Sequence, residues 1–209
     1  MDIPNIKNLL LKPKTAFNEL LLEANWKRGF GAWFLFSLIG TAVFFLLGAG
    51  ARSTYIIFDF GLGTGYANVL VMGIFFIQLF VFFLSSTTFY HFGAKLLKGT
   101  GTYGTTIGLM GYTNILMAVK GLFSGLLTII RAQLINYSVK TIMVEGTMNA
   151  GAFSILNYLT IAGVIIFGVW TMWLQSVALS VAHQIKIWKG FAVVLLVSIL
   201  FILIQGWLA

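Results

Sequence analysis

Five apolar stretches, each long enough to cross a bilayer, occupy most of the chain. They run over about Phe30–Ala51, Val69–Leu97, Thr105–Ile130, Phe153–Ala182 and Gly190–Leu208. A membrane helix needs roughly 20 apolar residues. Several stretches exceed that, which predicts tilt or ends that project into the interface. Hydrophobic residues make up 59% of the sequence and charged residues 9%. A water-soluble domain could not hide so much apolar surface, whereas a bilayer solvates it. Backbone amides in lipid must be satisfied within their own segment, so continuous apolar runs read as helices. A barrel would instead show short alternating strands. The expected fold is an all-α membrane protein, a bundle of five transmembrane helices over residues 30–209. An amphipathic interfacial segment over residues 1–29 precedes it.

The cations fall mainly on alternate connections. Lys7, Lys12, Lys14, Lys27 and Arg28 precede the first stretch, Lys95 and Lys98 follow the second, and Lys186 and Lys189 follow the fourth. That places nine on one side against three on the other (Arg52, Arg131 and Lys140), with Lys120 set apart. Positive charge marks the cytoplasmic side. The N-terminus and the two short connections are therefore expected in the cytoplasm and Ala209 across the membrane. Most of the net charge of +8 then faces the anionic inner leaflet. It predicts membrane lipids, chiefly anionic ones, as partners, and no nucleic acid.

The first 29 residues do not read as a secretory signal, because Asp2, Glu19 and Glu23 interrupt them. Pro13 sits where a helix can start, and Phe17, Leu20, Leu21 and Ala24 follow at helical spacing. Glu19 and Glu23 fall on another face. Two readings stand: a helix lying flat on the membrane, or an arm that docks a cytoplasmic protein partner. The chain has no cysteine, which excludes disulfides and thiolate sites.

Two inner corners echo each other. His91, Lys95, Lys98 and Gly99 join the second and third stretches, and His183, Lys186, Lys189 and Gly190 join the fourth and fifth. An internal duplication and an ordinary pair of basic anchors beside turns both fit. The opening "LLLKPKTAFNELL", the corner "HFGAKLLKGTGTYGTTIGLMGYTNIL" and the later "LSVAHQIKIWKGFAVVLL" resemble the Yip family of Ypt/Rab-interacting, five-span membrane proteins. The resemblance runs nearly the whole chain in order. It implies roles in membrane organisation or trafficking. The short N-terminal region is similar to prokaryotic members and implies a prokaryotic cytoplasmic membrane. Where the family usually has a proline after Gly111-Tyr112, this chain has Asn114 and Ile115.

Few residues can carry chemistry. Gly99-Thr100-Gly101-Thr102-Tyr103-Gly104 fits GxGxxG. A dinucleotide site also needs a preceding strand and a ribose-binding acid about 20 residues on. Here a membrane helix precedes the string and no acid follows until Glu145. A tight corner is the expected use of these glycines. Gly104, Gly108 and Gly111 fall near one face, and Gly121 and Gly125 have the small-xxx-small spacing of close helix pairs. His91 and His183 have no acid on their side of the membrane close enough to complete a metal site or a catalytic triad. We expect no catalytic residue, no metal, no cofactor and no enzyme activity.

Polar side chains inside the stretches cluster toward the cytoplasmic ends of the second, third and fourth. Ser86, Thr105, Tyr112, Asn114 and Gln175 are representative. They serve either interhelical hydrogen bonding or a cleft open to the cytoplasm. In the second case Lys95, Lys98, Lys186 and Lys189 would rim the cleft, His91 and His183 would line it, and lipid phosphate or another anion would bind. Lys120 lies about 22 Å along its helix from Thr105, from the 1.5 Å rise per residue. It either snorkels to the outer headgroups or faces a wet cavity. Trp26, Trp33, Tyr66, Trp188 and Trp207 sit near boundaries as expected for interface anchors, and Trp170 and Trp173 are expected to pack. The functional expectation is a non-enzymatic membrane protein that binds lipid or protein partners, and its small-residue faces permit a homo-oligomer. The alternative is a small transporter or channel for an anionic or polar solute.

Overall fold

The apolar runs do form helices. The computed structural model describes residues 6–50, 64–127, 129–130 and 150–208. Among them every regular element is helical: α1 (Ile6–Leu11), α2 (Pro13–Leu21), α3 (Trp26–Gly50), α4 (Thr64–Leu96), α5 (Tyr103–Thr113), α6 (residues 115–127), α7 (Ala150–His183) and α8 (Ile187–Leu208). Four segments of the described residues are long and apolar enough to cross a membrane: Gly73–Leu96, Tyr103–Leu127, Ile155–His183 and Ile187–Ile204. Large apolar side chains on them, such as Ile77, Val81, Ile165 and Ile202, are exposed. Such surface is at home in lipid and costly in water. The first expected span coincides with α3, a helix of 25 residues that is not among the four. Arg52, Asp59, Arg131, Lys140 and Glu145, and the two connections that hold them, lie outside the described residues.

The N-terminal segment folds as its proline predicts. Pro13 opens α2 at the first helical position, where its missing N–H costs nothing. α2 packs against α1 and α5 and buries Ala16 and Phe17, while Leu22 is 91% exposed. Phe17, on the apolar face of the segment, is therefore covered by protein.

Two helix ends place the remaining features. α4 closes with Gly99 N–H donating to the Ala94 carbonyl at 2.9 Å and Lys98 N–H to the Lys95 carbonyl at 2.9 Å. α7 closes with Ile185 N–H donating to the Ser180 carbonyl at 3.1 Å. Both ends follow the Schellman pattern, which requires one left-handed residue. That residue is Lys98 (φ 66°) in the first and Gln184 (φ 56°) in the second, where glycine is usual. The sequence echo is therefore out of register. Lys98 corresponds to Gln184, His91 lies inside α4, and His183 is the last residue of α7.

The third stretch is interrupted without a proline. α5 ends at Thr113, and Asn114 caps it with φ −71° and ψ −3°. The Thr113 hydroxyl donates to the Met110 carbonyl at 2.7 Å, and the Asn114 amide donates to the same carbonyl at 3.3 Å. Side chains that compete for helix carbonyls interrupt or bend the helix.

The chain divides into two compact units. The first comprises Met1–Phe36, Leu79–Ile115 and Gly168–Ala209. Here α3 crosses α5 so closely that a methyl group on Gly111 would overlap the Gly29 carbonyl. Trp33 is 3% exposed and stacks on Phe83, with ring centroids 5.5 Å apart at 20°. It is thus a core residue and not the interface anchor its position predicted. Trp173, expected to pack, is instead 46% exposed. The second unit comprises Ser37–Gln78 and Leu116–Phe167. It is held by a close crossing of α3 and α6, where a side chain at Gly121 would overlap the Gly40 carbonyl. The phenyl rings of Phe123 and Phe167 also pack there at 5.4 Å. Ser37 and Thr41 are buried in this unit with side-chain oxygens that find no hydrogen-bond partner.

Candidate functional site

The polar side chains of the first unit converge beneath the two turns. His91 on α4, Thr106 on α5 and His183 at the end of α7 form a closed triangle. Thr106 Oγ1 lies 3.0 Å from His91 Nδ1 and 2.9 Å from His183 Nε2, and the two ring nitrogens are 3.2 Å apart. All three residues are buried. The Thr106 hydroxyl donates to the Thr102 carbonyl at 2.9 Å, so toward the ring nitrogens its oxygen can only accept. The rings themselves pack with centroids 4.9 Å apart, and Tyr103 meets His91 edge-on at 5.3 Å.

The glycine-rich string explains how this triangle is closed. Thr100 N–H donates to the His183 carbonyl at 3.0 Å, satisfying a carbonyl that the end of α7 leaves without a helical partner. The backbone reaches that carbonyl because Gly99 and Gly101 carry no side chain. A Cβ at Gly99 would lie 2.8 Å from His183 Nδ1, and one at Gly101 would overlap the Ala182 carbonyl. His183 Nδ1 is buried against Gly99 with no hydrogen-bond partner. Thr102 then caps α5. Its hydroxyl accepts from Thr105 N–H at 3.2 Å, and Thr105 Oγ1 accepts from Thr102 N–H at 3.1 Å. This reciprocal pair is a capping box with threonine in the place usual for glutamate. GxGxxG here is a packed corner between two helices.

The remaining polar residues expected at the site make separate contacts. Ser86 is buried and donates to the Phe83 carbonyl of its own helix at 3.1 Å. Gln175 Oε1 accepts from the Tyr90 hydroxyl at 3.3 Å, which ties α7 to α4. Tyr112 is buried, Thr105 is part of the cap, and Asn114 is at the helix break. Of these residues, expected to line an open cleft, Ser86 and Tyr112 are buried, and Thr105, Asn114 and Gln175 are half-buried. Lys95, Lys98 and Lys186 are exposed, and the Lys189 ammonium lies 6.0 Å over the Trp188 ring. Lys120 is exposed on α6 in the second unit. Among the described residues no group of three or more His, Cys, Asp or Glu could hold a metal ion.

Sequence reasoning singled out Thr105 and passed over Thr106, which is the residue that joins the histidines. A signal was present: Thr102-x-x-Thr105 reads as a capping pair. That assignment uses up Thr105 and turns its neighbour inward.

The family model described as Yip1 domain matches residues 7–208. No curated protein and no solved structure matches the chain.

Proposed function

The chain belongs to the Yip1 domain family, and on that premise we propose that it is a non-enzymatic, five-span membrane protein whose basic cytoplasmic face gathers anionic lipid. α3 supplies the first span, the N-terminus and both basic turns lie in the cytoplasm, and the C-terminus lies across the membrane. The broader role is to organise membrane or to recruit a cytoplasmic protein to it.

The observation that carries this reading is where the charge is left. The histidines are enclosed with Thr106, while Lys95, Lys98 and Lys186 stay exposed at the ends of candidate spans. The acid Glu23 is paired with Arg28. Lysines at a membrane boundary attract anionic headgroups at about 1 kcal/mol each, an attraction screened by salt.

The test uses full-length protein in nanodiscs of mixed phosphatidylcholine and phosphatidylglycerol. Lipid retained on extraction in mild detergent should be enriched in phosphatidylglycerol. A variant with Lys95, Lys98, Lys186 and Lys189 all changed to Gln should lose the enrichment. Equal enrichment in that variant would refute the reading.

A further inference from the structure

One wall of a groove of about 530 Å³ is the outer face of α2, and the other is the turn between α7 and α8. Lys14, Asn18 and Leu21 line it from α2, at helical positions i, i+4 and i+7 that share one face. Gln184, Lys186 and Trp188 line it from the turn. Two ammonium groups and two carboxamides thus face one space, and no carboxylate lines it. The left-handed conformation of Gln184 (φ 56°) turns the chain sharply enough to place Lys186 opposite α2.

The groove lies at a membrane boundary. The candidate span of α7 ends at His183 and that of α8 begins at Ile187, so residues 184–188 sit at headgroup level. Trp188 is 64% exposed there, as befits an indole in the interfacial zone. Below it Phe191, Leu195, Ile199 and Ile202 are exposed too. Their spacing puts them on one stripe of α8 that leads from the groove into the hydrocarbon. The volume falls in the range of small-ligand sites and is too small for a folded partner.

The geometry points to this groove as the seat of one phosphate headgroup of an anionic phospholipid. Lys14 and Lys186 hold the phosphate, Asn18 and Gln184 donate to its oxygens or to the glycerol, and the acyl chains lie along the α8 stripe. This assignment rests on the proposed affinity for anionic lipid and locates its tightest site. It gives α2 a second role, since the face beside the buried Ala16 and Phe17 becomes half of a binding site.

The experiment titrates full-length protein in mild detergent with phosphatidylglycerol, phosphatidylcholine or inorganic phosphate, read by native mass spectrometry. Wild type should bind phosphatidylglycerol in preference to phosphatidylcholine, and inorganic phosphate should not displace it. Lys14→Gln combined with Lys186→Gln should weaken phosphatidylglycerol binding by roughly tenfold or more, from about 1 kcal/mol per lysine at a membrane surface. Asn18→Trp, which fills the groove and keeps the charge, should weaken it comparably. Lys95→Gln combined with Lys98→Gln should cost less than either. If that last pair abolishes binding while the groove variants leave it intact, the groove is refuted and the affinity for anionic lipid stands. No preference for phosphatidylglycerol in wild type would refute both. Displacement by free phosphate at equal affinity would refute the lipid as ligand.

Discussion

The turn from α4 to α5 and the turn from α7 to α8 both follow a Schellman close with a side-chain-bearing residue in the left-handed position. They diverge at the next residue. After Lys98 come Gly99, Thr100 and Gly101, small enough for the backbone to reach the end of α7 and bond it. After Gln184 come Ile185 and Lys186, which face α2 across a groove. The lysines are common to both turns and decide neither outcome. Side-chain size just after the left-handed residue closes one turn against its neighbour and leaves the other open.

Substitutions can break this comparison, most severely in the closed turn. Gly101→Val puts atoms where the Ala182 carbonyl already sits, and overpacking of this kind costs about 1–3 kcal/mol or more. It should produce the largest fall in thermal midpoint in detergent. A near wild-type midpoint would show that the two turns do not depend on close approach. Thr106→Val keeps the shape and removes the oxygen shared by both rings, which should cost about 1–3 kcal/mol. Thr105→Val removes only the return half of the capping box and keeps the Thr102 cap, so it should cost less than the about 1 kcal/mol of a lost N-cap, and the ranking of these neighbours checks the triangle. Lys98→Gly and Gln184→Gly should each raise stability by about 1 kcal/mol, because both relieve a left-handed side-chain-bearing residue. A gain in only one of them would show that the two closes are not equivalent. Lys14→Gln with Lys186→Gln should leave the thermal midpoint of lipid-free protein unchanged, since surface charges contribute little, and change lipid binding alone.

Much of this architecture is legible in the sequence because membrane helices are written in long apolar runs. The expected inner boundaries at Leu97, Thr105, Ala182 and Gly190 fall at Leu96, Tyr103, His183 and Ile187. Pro13 opens its helix, and the glycines at 108, 111 and 121 do mark close approaches. What was not legible depends on partners remote in sequence. Trp33 looked like an anchor because its partners Phe80 and Phe83 come from another helix. The echo between the basic corners misled because neither left-handed position is a glycine, so nothing in the string marked the true register. The break at Asn114 was hidden for a related reason, since hydroxyl and amide groups replace the proline that would have announced it. The groove needs α2 and the last turn of the chain together, and periodicity within either one cannot report that.

Site-specific labelling reports whether a lipid headgroup lies between α2 and the α7–α8 turn, as proposed. The chain has no cysteine, so Asn18→Cys introduces a single reactive thiol inside the groove. The rate of labelling by a water-soluble maleimide is to be compared in nanodiscs of phosphatidylcholine and of phosphatidylglycerol, with Lys98→Cys in the other turn as reference. A several-fold slower reaction at position 18 in phosphatidylglycerol, relative to that reference, is the predicted result. Equal relative rates in the two lipids would contradict it.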